Sequence, residues 1–248
     1  MTSLLEIGFL TVATFFCSML TVMAGAGGGI LLLGLMLLLV PPAVAIPAHG
    51  IVQLAANATR SWMFRRQLVW PVIWRFGLLL PAGAALGLFV FQGLPEEVTK
   101  MLIGFFVLFT LLSGHISKFQ DRQLPLWLFI PVGFVTGILN MIVGVIGPVL
   151  AALVVRFGLK KESVVGSLGV FGVLGNTVKI VGFGYAGFSF ATYWPLFVLM
   201  VPAAIVGMMV GKRLLWRFSE RTFRGMLQSV LIFMALKLIV YDGLGSLW

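Results

Sequence analysis

The sequence predicts an all-α polytopic membrane protein made of two inverted five-segment repeats, with about ten membrane segments. Three observations lead to this prediction: an apolar composition, glycine-rich breaks inside long apolar runs, and a register that recurs between the two halves. Of the residues, 60% are hydrophobic and the mean hydropathy is +1.12. Such a composition is typical of a chain that crosses a bilayer several times, and no polar stretch is long enough for a soluble domain.

The first apolar run, Leu4–Val40, is interrupted by Gly25-Ala26-Gly27-Gly28-Gly29. At about 1.5 Å per residue the run is too long for one crossing of a ~30 Å hydrocarbon core. Each glycine in a helix interior costs about 1 kcal/mol relative to alanine. We therefore predict two helices, Leu4–Ala24 and Ile30–Val40, that meet at a glycine turn at membrane depth, each half opening with such a broken pair. The alternative is a glycine-rich packing kink.

Eight further apolar segments follow the broken pair. The seventh of the ten, like the second, is too short to span a bilayer alone and would be re-entrant. In chain order, the eight are Ala43–Phe64, Val69–Phe91, Val98–His115, Leu124–Val143, Val149–Phe157, Ser163–Phe183, Thr192–Val210 and Thr222–Tyr241.

The two halves of the chain share a register. An offset of 119 places Gly25 on Gly144, Gly28 on Gly147, Leu31 on Leu150, Gly50 on Gly169, Asn57 on Asn176 and Arg60 on Lys179. A register held over this distance indicates duplication of a five-segment unit. We predict a first membrane repeat at residues 1–118 and a second at 119–248, together forming one integral membrane domain.

Basic residues support an inverted arrangement, because an odd number of segments gives the two repeats opposite orientations. With ten segments, 14 of the 17 Lys and Arg residues fall on one face, near residues 65, 120, 159 and 215. Lys and Arg accumulate on the cytoplasmic side of membrane proteins. We therefore predict a multi-pass protein of the cell (cytoplasmic) membrane with both termini outside.

Two short helices that enter from opposite faces would bring their positively polarised N-terminal ends together near the midplane, where inverted-repeat transporters bind substrate. The third segment adds polar side chains at helical spacing, and its repeat partner adds an amide beside a cation. An amide beside a cation is suited to binding an oxyanion, because the amide N–H₂ donates hydrogen bonds and the cation compensates the charge. The predicted substrate-binding residues are Gly27, Gly28, Gly29, His49, Gln53, Asn57, Arg60, Gly147, Asn176 and Lys179. As alternatives, Arg60 and Lys179 extend to the membrane interface, and His49 is structural.

The sequence has few residues that could bind a metal ion or act as a nucleophile. Two histidines, one cysteine and seven acidic residues near segment ends make a poor metal or nucleophile set, so we expect no metal, no cofactor and no enzyme activity. The net charge of +10 belongs to no soluble basic fold, so no nucleic-acid partner is expected.

These features together resemble the TauE/SafE sulfite exporter family. The similarity lies in Gly25-Ala26-Gly27-Gly28-Gly29 followed by Leu31-Leu32-Leu33, and in Val206–Leu215, which is similar to the family's late G-x-x-x-G-(K/R)-R-L helix end. It extends over nearly the whole chain, although the second break, Gly144–Pro148, departs from the glycine-rich pattern.

The resemblance implies export of a small sulfur-containing anion, such as sulfite or a sulfonate, through the bilayer. The alternatives are uptake of such an anion, transport of another small anion, or an intramembrane enzyme. The oligomeric state is left open, with a homodimer as one alternative.

Overall fold

The computed structural model describes residues 4–24, 27–113, 125–145, 147–155, 161–214 and 220–247, and it contains ten α-helices and no strand within them. The helices are α1 (Leu4–Ala24), α2 (Gly28–Leu37), α3 (Pro42–Met63), α4 (Trp70–Gly93), α5 (Glu96–Ser113), α6 (Phe129–Ile142), α7 (Gly147–Val155), α8 (Lys161–Tyr185), α9 (Trp194–Leu214) and α10 (Glu220–Leu236). The predicted all-α class is confirmed. In the described part of the chain, four helices are long and apolar enough to cross a membrane: α1, α4, α8 and α9.

The two short helices, α2 and α7, each follow a glycine with a backbone conformation that other residues rarely adopt. Gly27 precedes α2 with φ 110°, and Gly144 lies before α7 with φ 82°. A positive φ carries no steric cost for glycine, so the chain can turn sharply at both places. The middle of each break, Gly25-Ala26 and Ile146, lies outside the described residues.

Two helix pairs, α1–α9 and α4–α6, pack so closely that only glycine fits at the contacts. Gly207 and Gly211 of α9 lie against the carbonyl groups of Phe15 and Met19 on α1. Gly83 of α4 lies in the same way against the backbone of α6. Small residues let helix backbones approach in this manner. Within Val206–Leu214, Gly207 and Gly211 therefore have a packing role along α1.

Helices α3 and α8 cross the middle of the fold side by side and antiparallel. Near the start of α3, Gly50 lies against Lys179, close to the end of α8. Further along, Asn57 faces Gly172, and the turn after α3 faces Gly166. Residue numbers therefore rise along α3 as they fall along the facing side of α8. Arg60 and Lys179 consequently lie towards opposite ends of this pair, which we call the Arg60 end and the Lys179 end.

Helix contacts in the two halves correspond to one another. Helix α1 packs on α9 as α6 packs on α4, and α3 packs on α9 as α8 packs on α4. The short helices follow the same scheme, since α2 contacts α10 and α7 contacts α5. Each of these contacts has a counterpart when helices α1–α5 are exchanged with α6–α10, whereas the contact of α1 with α2 has no equally extensive counterpart between α6 and α7 among the described residues.

Apolar side chains divide between the interior and the outer surface. One buried cluster joins α1, α2, α3, α5, α9 and α10 and includes single side chains or pairs from α4, α6 and α8, and a second joins α4, α6, α7 and α8. In the second cluster the rings of Phe76 and Phe171 stack with centroids 4.1 Å apart. Many large apolar side chains, including Phe89, Leu112 and Phe233, are exposed on the outside. Such an extensive apolar exterior fits contact with lipid.

Candidate functional site

A cavity of about 80 Å³ lies where the beginnings of α2 and α7 meet the antiparallel pair α3–α8. Its lining residues are Thr21, Gly27, Gly29, Ile30, His49, Gln53, Asn57, Arg60, Asn140, Gly144, Val145, Gly147, Leu150, Leu168, Phe171, Gly172, Gly175 and Asn176. The volume is sufficient for several water molecules or one small polyatomic ligand.

Eight of the ten predicted site residues line this cavity: Gly27, Gly29, His49, Gln53, Asn57, Arg60, Gly147 and Asn176. The other two, Gly28 and Lys179, lie behind its wall. Gly28 faces α1, where it contacts Cys17 and Thr21. The Lys179 ammonium points to the second break, where Nζ lies 2.6 Å from the carbonyl oxygen of Gly144.

Each half places an amide next to a cation, one helical turn apart. Arg60 donates from its guanidinium to Asn57 Oδ1 at 2.7 Å. The repeat counterpart, Lys179, has its Nζ 3.4 Å from Asn176 Oδ1. Arg60 is only 6% exposed and Lys179 is 0% exposed. Both cations are therefore held in the protein interior and do not extend outward to an interface.

Neither buried cation has a carboxylate partner among the described residues. The salt bridges found there are Lys100–Glu96 on α5 and Lys237–Asp242 beyond the end of α10. A buried charge without a counter-charge costs several kcal/mol, and an anion in the cavity would offset that cost. The electrostatics of the site therefore favour a negatively charged ligand.

Two buried nitrogen atoms at the cavity have no hydrogen-bond partner in the described part of the chain: His49 Nδ1 and Arg60 Nε. His49 Nε2 lies 2.9 Å from the carbonyl oxygen of Gly29 and must donate its proton there, since a carbonyl only accepts. Buried polar groups are normally paired with protein or water. Arg60 Nε is a donor that an anion can pair with, whereas His49 Nδ1 in this tautomer is an acceptor that only a donor can pair with.

The N-termini of α2 and α7 supply further donors. The first N–H groups of a helix have no partner within the helix and lie at its positive end. On α2, the first bond that closes the helix runs from the N–H of Leu31 to the oxygen of Gly27 at 3.0 Å. Gly28, Gly29 and Ile30 precede that bond, and two of them line the cavity.

Several lining residues were not among the predicted ones. Asn140 is buried on α6 and donates to the carbonyl oxygen of Gly175 at 2.8 Å, which ties α6 to α8. Thr21 of α1 is its partner at the same offset of 119, so the repeat register contained a signal for both. Leu150, Leu168 and Phe171 form an apolar wall that no polar pattern could have indicated.

No cluster of three or more His, Cys, Asp or Glu side chains that could hold a metal ion occurs among the residues described. Cys17, the single cysteine of the chain, is buried on α1 as a free thiol.

In the part of the chain that the structure describes, an all-helical fold with membrane-length helices and an apolar exterior is that of a polytopic membrane protein, with a cavity lined by a buried arginine. The family model described as "Sulfite exporter TauE/SafE" matches residues 10–238. The chain therefore belongs to the TauE/SafE sulfite exporter family, as the sequence resemblance predicted. Neither a curated protein nor a solved structure matches the chain.

Proposed function

We propose that this protein conducts a small sulfur-containing oxyanion, with sulfite as the reference substrate, out of the cell through the cavity between α3 and α8. The observation that carries this proposal is Arg60, a buried cation at the cavity with no carboxylate partner among the described residues. Amides from Gln53, Asn57 and Asn176 line the same space. Uptake of such an anion would use the same contacts and differs only in direction.

The topology that we propose has ten membrane segments, two inverted repeats (1–118 and 119–248) and both termini outside. The exchange of helix contacts between the halves and the antiparallel crossing of α3 and α8 support it. Both short helices are too short to span a bilayer, at about 1.5 Å per residue. The Arg60 end continues into the exposed Arg65 and Arg66, which supports a cytoplasmic position for that end by the positive-inside rule.

The proposed binding experiment is thermal unfolding of the purified protein with a panel of sodium salts at constant ionic strength. A ligand that binds only the folded state raises its apparent stability, by about 2.7 kcal/mol at a hundredfold excess over Kd. Sulfite should raise the unfolding temperature, and chloride should raise it much less. Equal effects of all anions would contradict a specific site.

Export of the anion needs no coupling ion. An anion that leaves a negative-inside cell gains about 2.3 kcal/mol per charge for each 100 mV. Ion-coupled carriers usually hold a carboxylate at membrane depth. The acidic side chains that the structure places, such as Glu96, Glu162 and Asp242, lie at or beyond the ends of helices. We therefore propose an electrogenic facilitator.

Sulfite flux in proteoliposomes should follow a potassium–valinomycin potential when no pH gradient is present. At 100 mV, a monovalent anion should distribute with a ratio of roughly fifty, since about 1.4 kcal/mol is a factor of ten. Uphill movement driven by a pH gradient alone, with no response to the potential, would instead indicate a proton relay through His49.

A further inference from the structure

We infer that Lys179 is a positioning residue that, together with His49, holds the Lys179 end of the cavity closed, whereas Arg60 is the cation that meets the anion. The inference rests on the proposed function in treating the cavity as a passage. It separates two residues that the repeat register makes equivalent and assigns them different roles.

Lys179 links two elements of the fold through a hydrogen bond from its side chain to a backbone carbonyl, and we call such a link a tie. Its ammonium lies 2.6 Å from the carbonyl oxygen of Gly144, the positive-φ residue of the second break. The side chain is 0% exposed and does not line the cavity. Lys179 therefore connects α8 to the break that leads into α7.

His49 makes the corresponding tie to the other short helix. Its Nε2 donates to the carbonyl oxygen of Gly29 in the first turn of α2, at 2.9 Å. The neighbouring Gly50 lies against Lys179, since a Cβ at Gly50 would be 3.1 Å from Lys179 Cδ. The two ties therefore lie side by side, and both broken segments are held at the same end of the cavity.

The Arg60 end has no equivalent pair of ties among the described residues. The counterpart of Lys179 is Arg60, whose hydrogen bond runs to Asn57 on its own helix. The counterpart of His49 is Leu168, which has no polar side-chain atom. Arg60 remains at the cavity with Nε unpaired, and this leaves it able to bind the anion.

The test uses a single reporter thiol at Val145, which lines the cavity next to Gly144. In a Cys17→Ser, Val145→Cys protein, a membrane-impermeant thiosulfonate is applied to each face of sealed vesicles. Lys179→Met should raise the labelling rate from the Lys179 end about tenfold, as expected when one hydrogen bond to a charged group no longer favours the closed state. Stabilisation by sulfite should persist. Lys237→Met, which removes a cation paired with Asp242 just beyond the end of α10, should leave the labelling rate unchanged.

Gly50→Ala provides a second variant that keeps the charge. The added methyl group would press on Lys179 Cδ and should raise labelling in the same direction. If Lys179→Met removes stabilisation by sulfite while labelling stays constant, Lys179 is a ligand and the inference is wrong. Unchanged labelling in both variants also overturns it. If sulfite fails to stabilise the parent protein, the proposed function fails, but the labelling rates still decide the role of Lys179.

Discussion

Replacing Gly28 with alanine should lower the unfolding temperature of the protein by about 2–12 °C and sharply reduce sulfite binding. The estimate follows from about 1–3 kcal/mol for overpacking a close contact and about 2–4 °C per kcal/mol at this chain length. The same substitution at Gly147, its counterpart in the second half, should leave the unfolding temperature nearly unchanged.

The difference between the two glycines lies in what surrounds them. A Cβ at Gly28 would overlap the carbonyl oxygen of Cys17 and the hydroxyl of Thr21, and it would lie 2.9 Å from the Cys17 carbonyl carbon. The Cys17 carbonyl belongs to the backbone of α1, so it cannot move aside without shifting the helix. A Cβ at Gly147 would have no atom within 4 Å among the described residues outside its own helix turn and chain neighbours.

Fluorescence-monitored unfolding in detergent, with the yield of monodisperse protein, is sufficient to compare the two variants. If Gly28→Ala is as stable as Gly147→Ala, then α2 does not pack on α1 as described. Gly28→Val should have a larger effect than Gly28→Ala, because it adds two methyl groups to the same contact and restricts the backbone.

Replacing Arg60 with glutamine should weaken sulfite binding by roughly 10- to 100-fold. Hydrogen bonds to charged groups contribute about 1.5–3 kcal/mol, and each 1.4 kcal/mol is a factor of ten. Glutamine keeps polar atoms but loses the charge that an anion in the cavity would offset. Arg60→Lys should retain part of the affinity, since it keeps the charge but loses the planar fork of donors.

Arg65→Gln is the matched control for Arg60→Gln. Arg65 lies five residues further along, is exposed, and stacks over Trp62 with its guanidinium carbon 4.4 Å from the ring centroid. Arg65→Gln should change the affinity for sulfite little and the salt dependence of binding only slightly, because exposed charges are screened by salt. Equal losses in both variants would assign the effect to general surface charge.

The fold class and the short helices could be predicted from sequence because their causes are local. Apolar runs of membrane length and glycines that interrupt them are visible without any tertiary information. The polar stripe of α3 was equally accessible, since His49, Gln53 and Asn57 recur at steps of four and share one helix face.

Other features depend on tertiary contacts that no spacing indicates. The sequence placed Gly27, Gly28 and Gly29 together in the site, but which side of a turn faces a neighbouring helix depends on packing, and Gly28 faces α1. Lys179 shares the register of Arg60, yet its partner is a backbone carbonyl, which any residue type provides. Residue identity across the repeat does not indicate Asn140, because its counterpart is Thr21.

The central claim is that sulfite crosses the membrane through the cavity at Arg60. The most direct test is entry of radiolabelled sulfite into proteoliposomes that contain the wild-type protein, Arg60→Gln or Arg65→Gln, against protein-free liposomes under an inside-positive potential. We predict rapid entry with the wild type and Arg65→Gln, and entry with Arg60→Gln close to that of protein-free liposomes. Wild-type entry no faster than in protein-free liposomes, or undiminished entry with Arg60→Gln, would contradict the claim.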